Sequence, residues 1–197
     1  MTGPARRSAL DPGARPGRFG RTAAAGIVLR ERRPLEMVEI GLPAALAETC
    51  RRGLAERLGF LPPALNRAAG KELRAIALGP GHWLAVRAER RAGALLAELA
   101  ASGAYVTDLG HARTVIRIAG RAWVDVLGKG CSLDFHPAAF PAHSAAQTLC
   151  ADVAVVLDAV ATDAIDIYVP RSYALHFWEW LTDAAFAGGY EVQPAAP

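Results

Sequence analysis

The chain has 197 residues, of which 52% are hydrophobic and 21% are charged. This length and composition indicate a globular protein that needs neither disulfides nor a metal ion to fold. The formal net charge is +3, but residues 1–25 contain five arginines and one acidic residue, so the rest of the chain is close to neutral and lacks the basic charge typical of nucleic-acid-binding proteins.

Residues 1–25 are rich in glycine, proline and arginine and show no periodic apolar pattern. We therefore expect a disordered arm over 1–25, followed by a single domain over 26–197. The arm lacks the apolar core of a secretory signal. Three cysteines without metal-ligand spacing favour reduced thiols in a cytoplasmic protein. No apolar run is long enough to predict a membrane-spanning helix.

Hydrophobic periodicity predicts four helices. The leucines of 42–58 recur at helical spacing, and Gly59 followed by Pro62 ends that helix. Ser172 can begin the last helix. The other predicted helices are 91–101 and 121–129, and the last one places Ala174, Phe177, Trp178, Leu181 and Ala185 on one face.

Alternating or continuous apolar runs predict the strands, while residues 131–144 are predicted to form a loop. The order strand, helix, strand occurs twice, which is typical of the split β-α-β unit of ferredoxin-like folds. We therefore expect an α+β protein whose antiparallel sheets are covered by helices on one face. The predicted strands are 35–41, 73–78, 82–87, 104–109, 114–118, 153–157, 165–169 and 191–192.

Few residues indicate chemistry. The histidines show no metal-binding spacing, and Cys131 follows a helix rather than beginning one, which does not favour a reactive thiolate. We therefore expect no catalytic residue and no metal ligand. Asp108, at the end of a strand, is the best candidate for a functional acid, but the ordinary role of an acid here is to cap the tight turn into the next strand. Trp180 lies outside the apolar face of the last helix, which favours a contact with another protein.

Five segments, in this order, resemble the gamma subunits of the heterotetrameric sarcosine oxidases. Single segments are weak signals, but their order is specific. Gly110 departs from the family pattern, which has serine there. The segments are Pro63–Arg67, Leu78–Leu84, Val106–Arg113, Leu127–Pro141, and Arg171–Tyr173 together with Trp178–Leu181.

The resemblance implies a fold similar to the folate-binding domain of the glycine cleavage T-protein. It implies a complex of alpha, beta, gamma and delta subunits that oxidatively demethylates sarcosine to glycine with folate-linked one-carbon transfer. FAD, FMN, NAD, tetrahydrofolate and zinc are then implied for the partner subunits, and no cofactor for this chain. Neither a nucleic acid nor a membrane is implied as a partner.

We therefore expect a non-catalytic structural subunit that binds its partners through apolar and aromatic side chains. Two alternatives remain open. One is a standalone folate-binding module of the T-protein type, with Asp108 as a weak candidate for the folate contact. The other is the equivalent subunit of an enzyme acting on a different N-methyl amino acid. The expected contact residues are Trp123, Cys131, Phe135, His136, Phe140 and Trp180.

Overall fold

The computed structural model describes residues 7–22, 24–44, 47–89 and 93–197. Its helices are α1 (Ala47–Leu58), α2 (Ala94–Ala100), α3 (Trp123–Leu127) and α4 (Ala174–Ala185), the last preceded by a 3₁₀ turn at Arg171–Tyr173. The strands are β1 (Gly17–Phe19), β2 (Ile27–Arg32), β3 (Leu35–Gly41), β4 (Ala68–Ala69), β5 (Arg74–Gly79), β6 (His82–Ala88), β7 (Tyr105–Asp108), β8 (Arg113–Ala119), β9 (Ala145–Cys150), β10 (Val153–Ala161), β11 (Ala164–Pro170) and β12 (Tyr190–Ala196).

The strands form two sheets. The larger has the order β1-β12-β2-β8-β11-β10-β9, and the smaller has the order β4-β5-β6-β3-β7. The strand pairs are antiparallel except for β2 with β12, which run parallel. The chain crosses from the larger sheet to the smaller between β2 and β3 and returns between β7 and β8. Because β2 pairs with β8 and β3 pairs with β7, these two connections lie near each other.

Three apolar clusters define the layers. One lies between the larger sheet and helices α3 and α4, and a second lies between the smaller sheet and helices α1 and α2. The third consists of strand residues from both sheets, including Met37, Leu84, Val156 and Tyr168. The two sheets therefore face each other, and each carries its helices on its outer face.

This architecture confirms the expectation of a mixed α+β protein with largely antiparallel sheets. Helix α1 buries Leu54 and Leu58 of the predicted leucine stripe, together with Cys50. Leu42, predicted to lie in the same helix, precedes it, and Leu46 lies outside the described residues. Helix α4 buries the five residues expected on its inner face. The start of the helix predicted over 91–101 also lies outside the described residues.

The prediction of a disordered arm over 1–25 is wrong for most of the part that the structure describes. Leu10 is fully buried in the core under the larger sheet. Strand β1 pairs with β12, and the rings of Phe19 and Tyr190 stack at 5.4 Å. These contacts join residues far apart in sequence, so a local composition rich in glycine and proline could not indicate them. Residues 1–6 and 23 lie outside the described residues.

Strands β2 and β9 have no counterpart among the predicted strands. Strand β2 pairs on both sides, with β12 and β8, and buries Ile27 and Leu29. Strand β9 is an edge strand that pairs with β10. Most of its residues are small or polar, so its extended conformation comes from pairing with the strongly apolar β10 rather than from an intrinsic preference for strands.

Charged side chains connect the two facing sheets. Arg74 of the smaller sheet binds Asp158 of the larger one with a bidentate pair of hydrogen bonds, at 2.6 and 2.5 Å. Asp166 accepts hydrogen bonds from Arg32 and Arg117 within the larger sheet. Both aspartates are fully buried. These pairs neutralise charge that would otherwise be costly between two apolar sheet faces.

Candidate partner-binding surface

Folding brings three of the five sequence segments to one edge of the molecule. Arg67 Nη1 donates to Ser144 Oγ at 3.1 Å, and the Ala145 amide donates to the carbonyl oxygen of Asn66 at 2.9 Å. On the other side of the same loop, Trp83 Nε1 donates to the carbonyl oxygen of Pro63 at 2.9 Å. The Pro63–Arg67 loop is therefore bonded to the β5–β6 hairpin and to the start of β9.

Two neighbouring surface depressions result, each of about 540 Å³. Leu65 lines both of them and is 54% exposed. Gln147 of β9 lines one depression and donates to the carbonyl oxygen of Leu78 at 2.6 Å. Leu149 is two residues further along β9, on the same strand face, and is 59% exposed. We call Leu65, Leu133, Phe140, Gln147 and Leu149 the motif surface.

The loop after α3 is fixed by aromatic packing. The Trp123 and Phe135 rings meet edge to face at 5.2 Å, and Phe140 extends the row with its ring centroid 5.6 Å from that of Phe135. Asp134 Oδ1 accepts a hydrogen bond from the His136 amide, which tightens the turn before Pro137. The loop predicted over 131–144 thus has a defined shape, held from beneath by the core.

The six expected contact residues divide by burial. Trp123 and Phe135 are 2% and 4% exposed, and Cys131 is 8% exposed, so their side chains pack within this chain. His136 is exposed, and Phe140 and Trp180 are partly buried. The buried three can support an interface only by shaping it, whereas the other three remain open to a partner.

Trp180 packs on the glycine before Cys131. A Cβ added at Gly130 would lie 2.4 Å from Trp180 Cζ2. Lys129 Nζ donates to the carbonyl oxygen of Ala184 at 2.5 Å, joining the same loop to the end of α4. The fourth and fifth sequence segments therefore form one packed unit.

Asp108 occupies a different edge. Its Oδ1 accepts a hydrogen bond from the Gly110 amide at 2.8 Å, which is the turn-capping arrangement. The depression beside it measures only about 40 Å³, whereas sites for drug-sized ligands measure roughly 300–1,000 Å³.

Across residues 7–22, 24–44, 47–89 and 93–197, no group of three or more His, Cys, Asp or Glu side chains is placed to hold a metal ion. In that same portion of the chain, no helix has the length and apolarity needed to cross a membrane.

The family profile described as sarcosine oxidase, gamma subunit family matches residues 44–187. The chain belongs to this family. It is 33% identical over 143 residues to the sarcosine oxidase subunit gamma of Corynebacterium sp. (strain P-1), covering 72% of this chain and 68% of that one. It is 32% identical over 170 residues to the Arthrobacter subunit, covering 84% and 82%.

A solved structure agrees with this family assignment. A chain of the heterotetrameric sarcosine oxidase from Corynebacterium sp. U-96, in complex with pyrrole 2-carboxylate, matches with a TM-score of 0.79 and 27% identity, covering 91% of this chain and 94% of that one. The glycine cleavage system aminomethyltransferase T from Bartonella henselae matches at a TM-score of 0.61 and 15% identity, covering 87% and 48%. The second likeness shows the fold alone, and the T-protein-like fold expected for this family is confirmed.

Reasoning from the sequence missed Leu65, Gln147 and Leu149. Each is a single residue in a loop or an unpredicted strand, and exposed leucines are common on protein surfaces. The available signal was Leu65 between Pro63 and Arg67, inside a segment already singled out. Its exposure became visible only when the neighbouring hairpin and β9 were placed around it.

Proposed function

We propose that this chain is the non-catalytic structural subunit of a heterotetrameric sarcosine oxidase and that the motif surface binds the larger partner subunits. The observation that carries the proposal is the convergence of three family segments on one edge with exposed Leu65 and Leu149. Exposed leucines beside surface depressions are the kind of surface that protein partners bury.

The same proposal assigns the cofactors to the partner subunits. FAD, FMN, NAD, tetrahydrofolate and zinc would be held by the alpha, beta and delta partners, in a cytoplasmic complex. The depression beside Asp108, of about 40 Å³, is too small for a folate. Residues 26–197 would act as a single domain, with the described part of the preceding segment packed against it.

We also infer that the larger sheet is an elaborated ferredoxin-like arrangement. Strands β8 and β10 run in the same direction on either side of β11, and α3 lies in the connection between them. Helix α4 likewise connects β11 to β12, which runs parallel to β2. Strand β2 would then be an insertion between the fourth and first strands of the unit.

The test compares two substituted chains in the native host. Leu65→Asp places a charge on the motif surface. Phe186→Asp is the matched control, because Phe186 is 45% exposed at the end of α4, next to β1 at the opposite edge of the larger sheet from β9. We expect the tagged wild-type chain and the Phe186 variant to co-purify with flavin-containing partners. The Leu65 variant should recover at least tenfold less of these partners.

The outcomes separate the alternatives. Equal recovery of partners by both variants would contradict the role of the motif surface. A wild-type chain that purifies alone, without flavin absorbance, would contradict the subunit role and make tetrahydrofolate binding by the isolated chain the next measurement. Turnover of sarcosine against N-methylglutamate by the recovered complex would identify the substrate.

A further inference from the structure

A second site lies where the chain crosses between the two sheets. A cavity of about 140 Å³ opens between the β2–β3 connection, the end of the β7–β8 connection and the start of the 3₁₀ turn. Five arginines line it, and the acidic side chain in its wall is that of Glu31. The arginines are Arg7, Arg32, Arg33, Arg113 and Arg171.

The backbone forces these cations together. Arg113 pairs with Pro170 across strands β8 and β11, and the Arg171 amide donates to the carbonyl oxygen of Ala112 at 2.9 Å. Arg171 Nη2 donates to the carbonyl oxygen of Arg7 at 2.6 Å, which brings a third arginine to the same place. Positive charges gathered around one cavity repel one another unless an anion lies among them.

The acidic groups nearby are already engaged. Glu31 accepts a hydrogen bond from Ser8 Oγ at 2.5 Å and pairs with Arg33 Nε at 3.0 Å. Asp11 also pairs with Arg33, at 3.4 Å. Glu31 and Asp11 therefore both pair with Arg33. The charge of Glu31 also acts on Arg171, and that of Glu39 acts on Arg113. Among the described residues, however, no carboxylate forms an ion pair with Arg7, Arg113 or Arg171.

Two arginines carry unused hydrogen-bond donors. The Nε atom of Arg32 is buried and has no partner among the described residues. Arg113 is half-buried, and no hydrogen bond or ion pair engages its side chain in the described part of the chain. Desolvation lowers the pKa of its guanidinium, and the charge of Glu39 opposes that shift without cancelling it. Buried donors without partners are rare in folded proteins, and an ion bound at the site is one standard explanation.

We propose that this cavity is an oxyanion-binding site in which the guanidinium groups of Arg113 and Arg171 bind a carboxylate or a phosphate. Planar guanidinium groups match the two oxygens of such anions with paired hydrogen bonds. The volume suits a small anion and is too small for a nucleotide. The oxyanion is either a free small molecule or an acidic side chain of a partner subunit. The site involves the Val106–Arg113 and Arg171–Tyr173 segments, which the motif surface does not use.

Arginine-specific modification with phenylglyoxal, measured by peptide mass spectrometry, tests this site and distinguishes the two sources of the oxyanion. The full chain alone is treated in chloride, and in phosphate or succinate at equal ionic strength. The complex is treated in chloride. Exposed Arg121 is the internal control in every sample, because it lies outside the cavity.

If the oxyanion is a free small molecule, phosphate or succinate should slow the modification of Arg113 and Arg171 at least fivefold in the isolated chain. The modification of Arg121 should not change. If the oxyanion is a carboxylate of a partner subunit, Arg113 and Arg171 should be protected to the same degree in the complex without added anion. The Arg113→Gln variant should remove the anion-dependent protection of Arg171. The proposal is overturned if neither anion nor complex formation protects Arg113 relative to Arg121, or if Arg171 stays equally protected in the Arg113→Gln variant.

Discussion

At Gly130 the absence of a side chain lets the loop after α3 pack against Trp180 of α4. An added Cβ would lie 2.4 Å from Trp180 Cζ2 and 3.0 Å from Cε2, so the indole would have to leave its place against Phe177, whose ring centroid is 5.4 Å away. The tryptophan and the glycine belong to segments that are far apart in sequence. Their dependence on each other is a property of the fold alone.

The Gly130→Ala substitution should therefore destabilise the chain by about 1–3 kcal/mol, the usual cost of overpacking. Gly188→Ala is the control, because a Cβ there would approach only the carbonyl oxygen of Ala185, at 3.9 Å. Urea denaturation of both variants gives the comparison. Equal stability of the two variants would show that Trp180 moves aside at no cost.

Cys150 provides a prediction about pH. Burial, followed by the neighbouring Cys131, raises the pKa of its thiol to about 12 from a usual value of 9.0. Between those values the unfolded chain loses the proton and the folded chain keeps it, so the free energy of unfolding falls as the pH rises. In Cys150→Ala this part of the decline should disappear when denaturation is followed from pH 8 to pH 10.5. An identical pH dependence in both proteins would contradict the raised pKa.

At the scale of elements, the N-terminal segment forms part of the fold. Leu10 is fully buried, and Ser8 donates from its hydroxyl to Glu31 of β2. Strand β1 extends the larger sheet beyond β12, the strand that would otherwise lie at its edge. Covering an edge strand in this way limits unwanted pairing with other chains.

Leu10→Ala should destabilise the protein by about 2–5 kcal/mol, as for other leucines removed from a core. Leu61→Ala is the matched control, since Leu61 is 76% exposed, and it should change stability by less than about 0.5 kcal/mol. Thermal or urea unfolding measures both. If the two variants behave alike, residues 7–19 do not pack on the core in solution.

At the scale of the whole molecule, a buried ion pair between Arg74 and Asp158 links the facing sheets. Asp158 is 0% exposed, and Arg74 also donates to the carbonyl oxygen of Gly70 at 3.0 Å. Desolvation raises the pKa of Asp158, whereas its hydrogen bonds to Arg74 oppose that rise. The pair is stable only because both partners are present.

Asp158→Asn should cost about 3–5 kcal/mol, because it leaves the guanidinium of Arg74 buried without a counter-charge. The double substitution Arg74→Met with Asp158→Leu should recover most of that loss, since it replaces both charges by apolar groups. A double-mutant cycle measured by denaturation gives the coupling. Additive effects of the two changes would mean that the pair contributes no interaction between the sheets.

The sequence by itself determined the class of fold, most of its strands, the inner face of α4 and the family. These depend on local periodicity and on ordered motifs, which are readable without coordinates. Only the tertiary structure decided that residues 7–19 pack on the core, that β2 and β9 are strands, and that Trp123 and Phe135 are buried. It also decided which segments share the motif surface and which arginines meet in the cavity. The physical reason is that burial, strand pairing and charge clustering depend on neighbours distant in sequence, which no local pattern specifies.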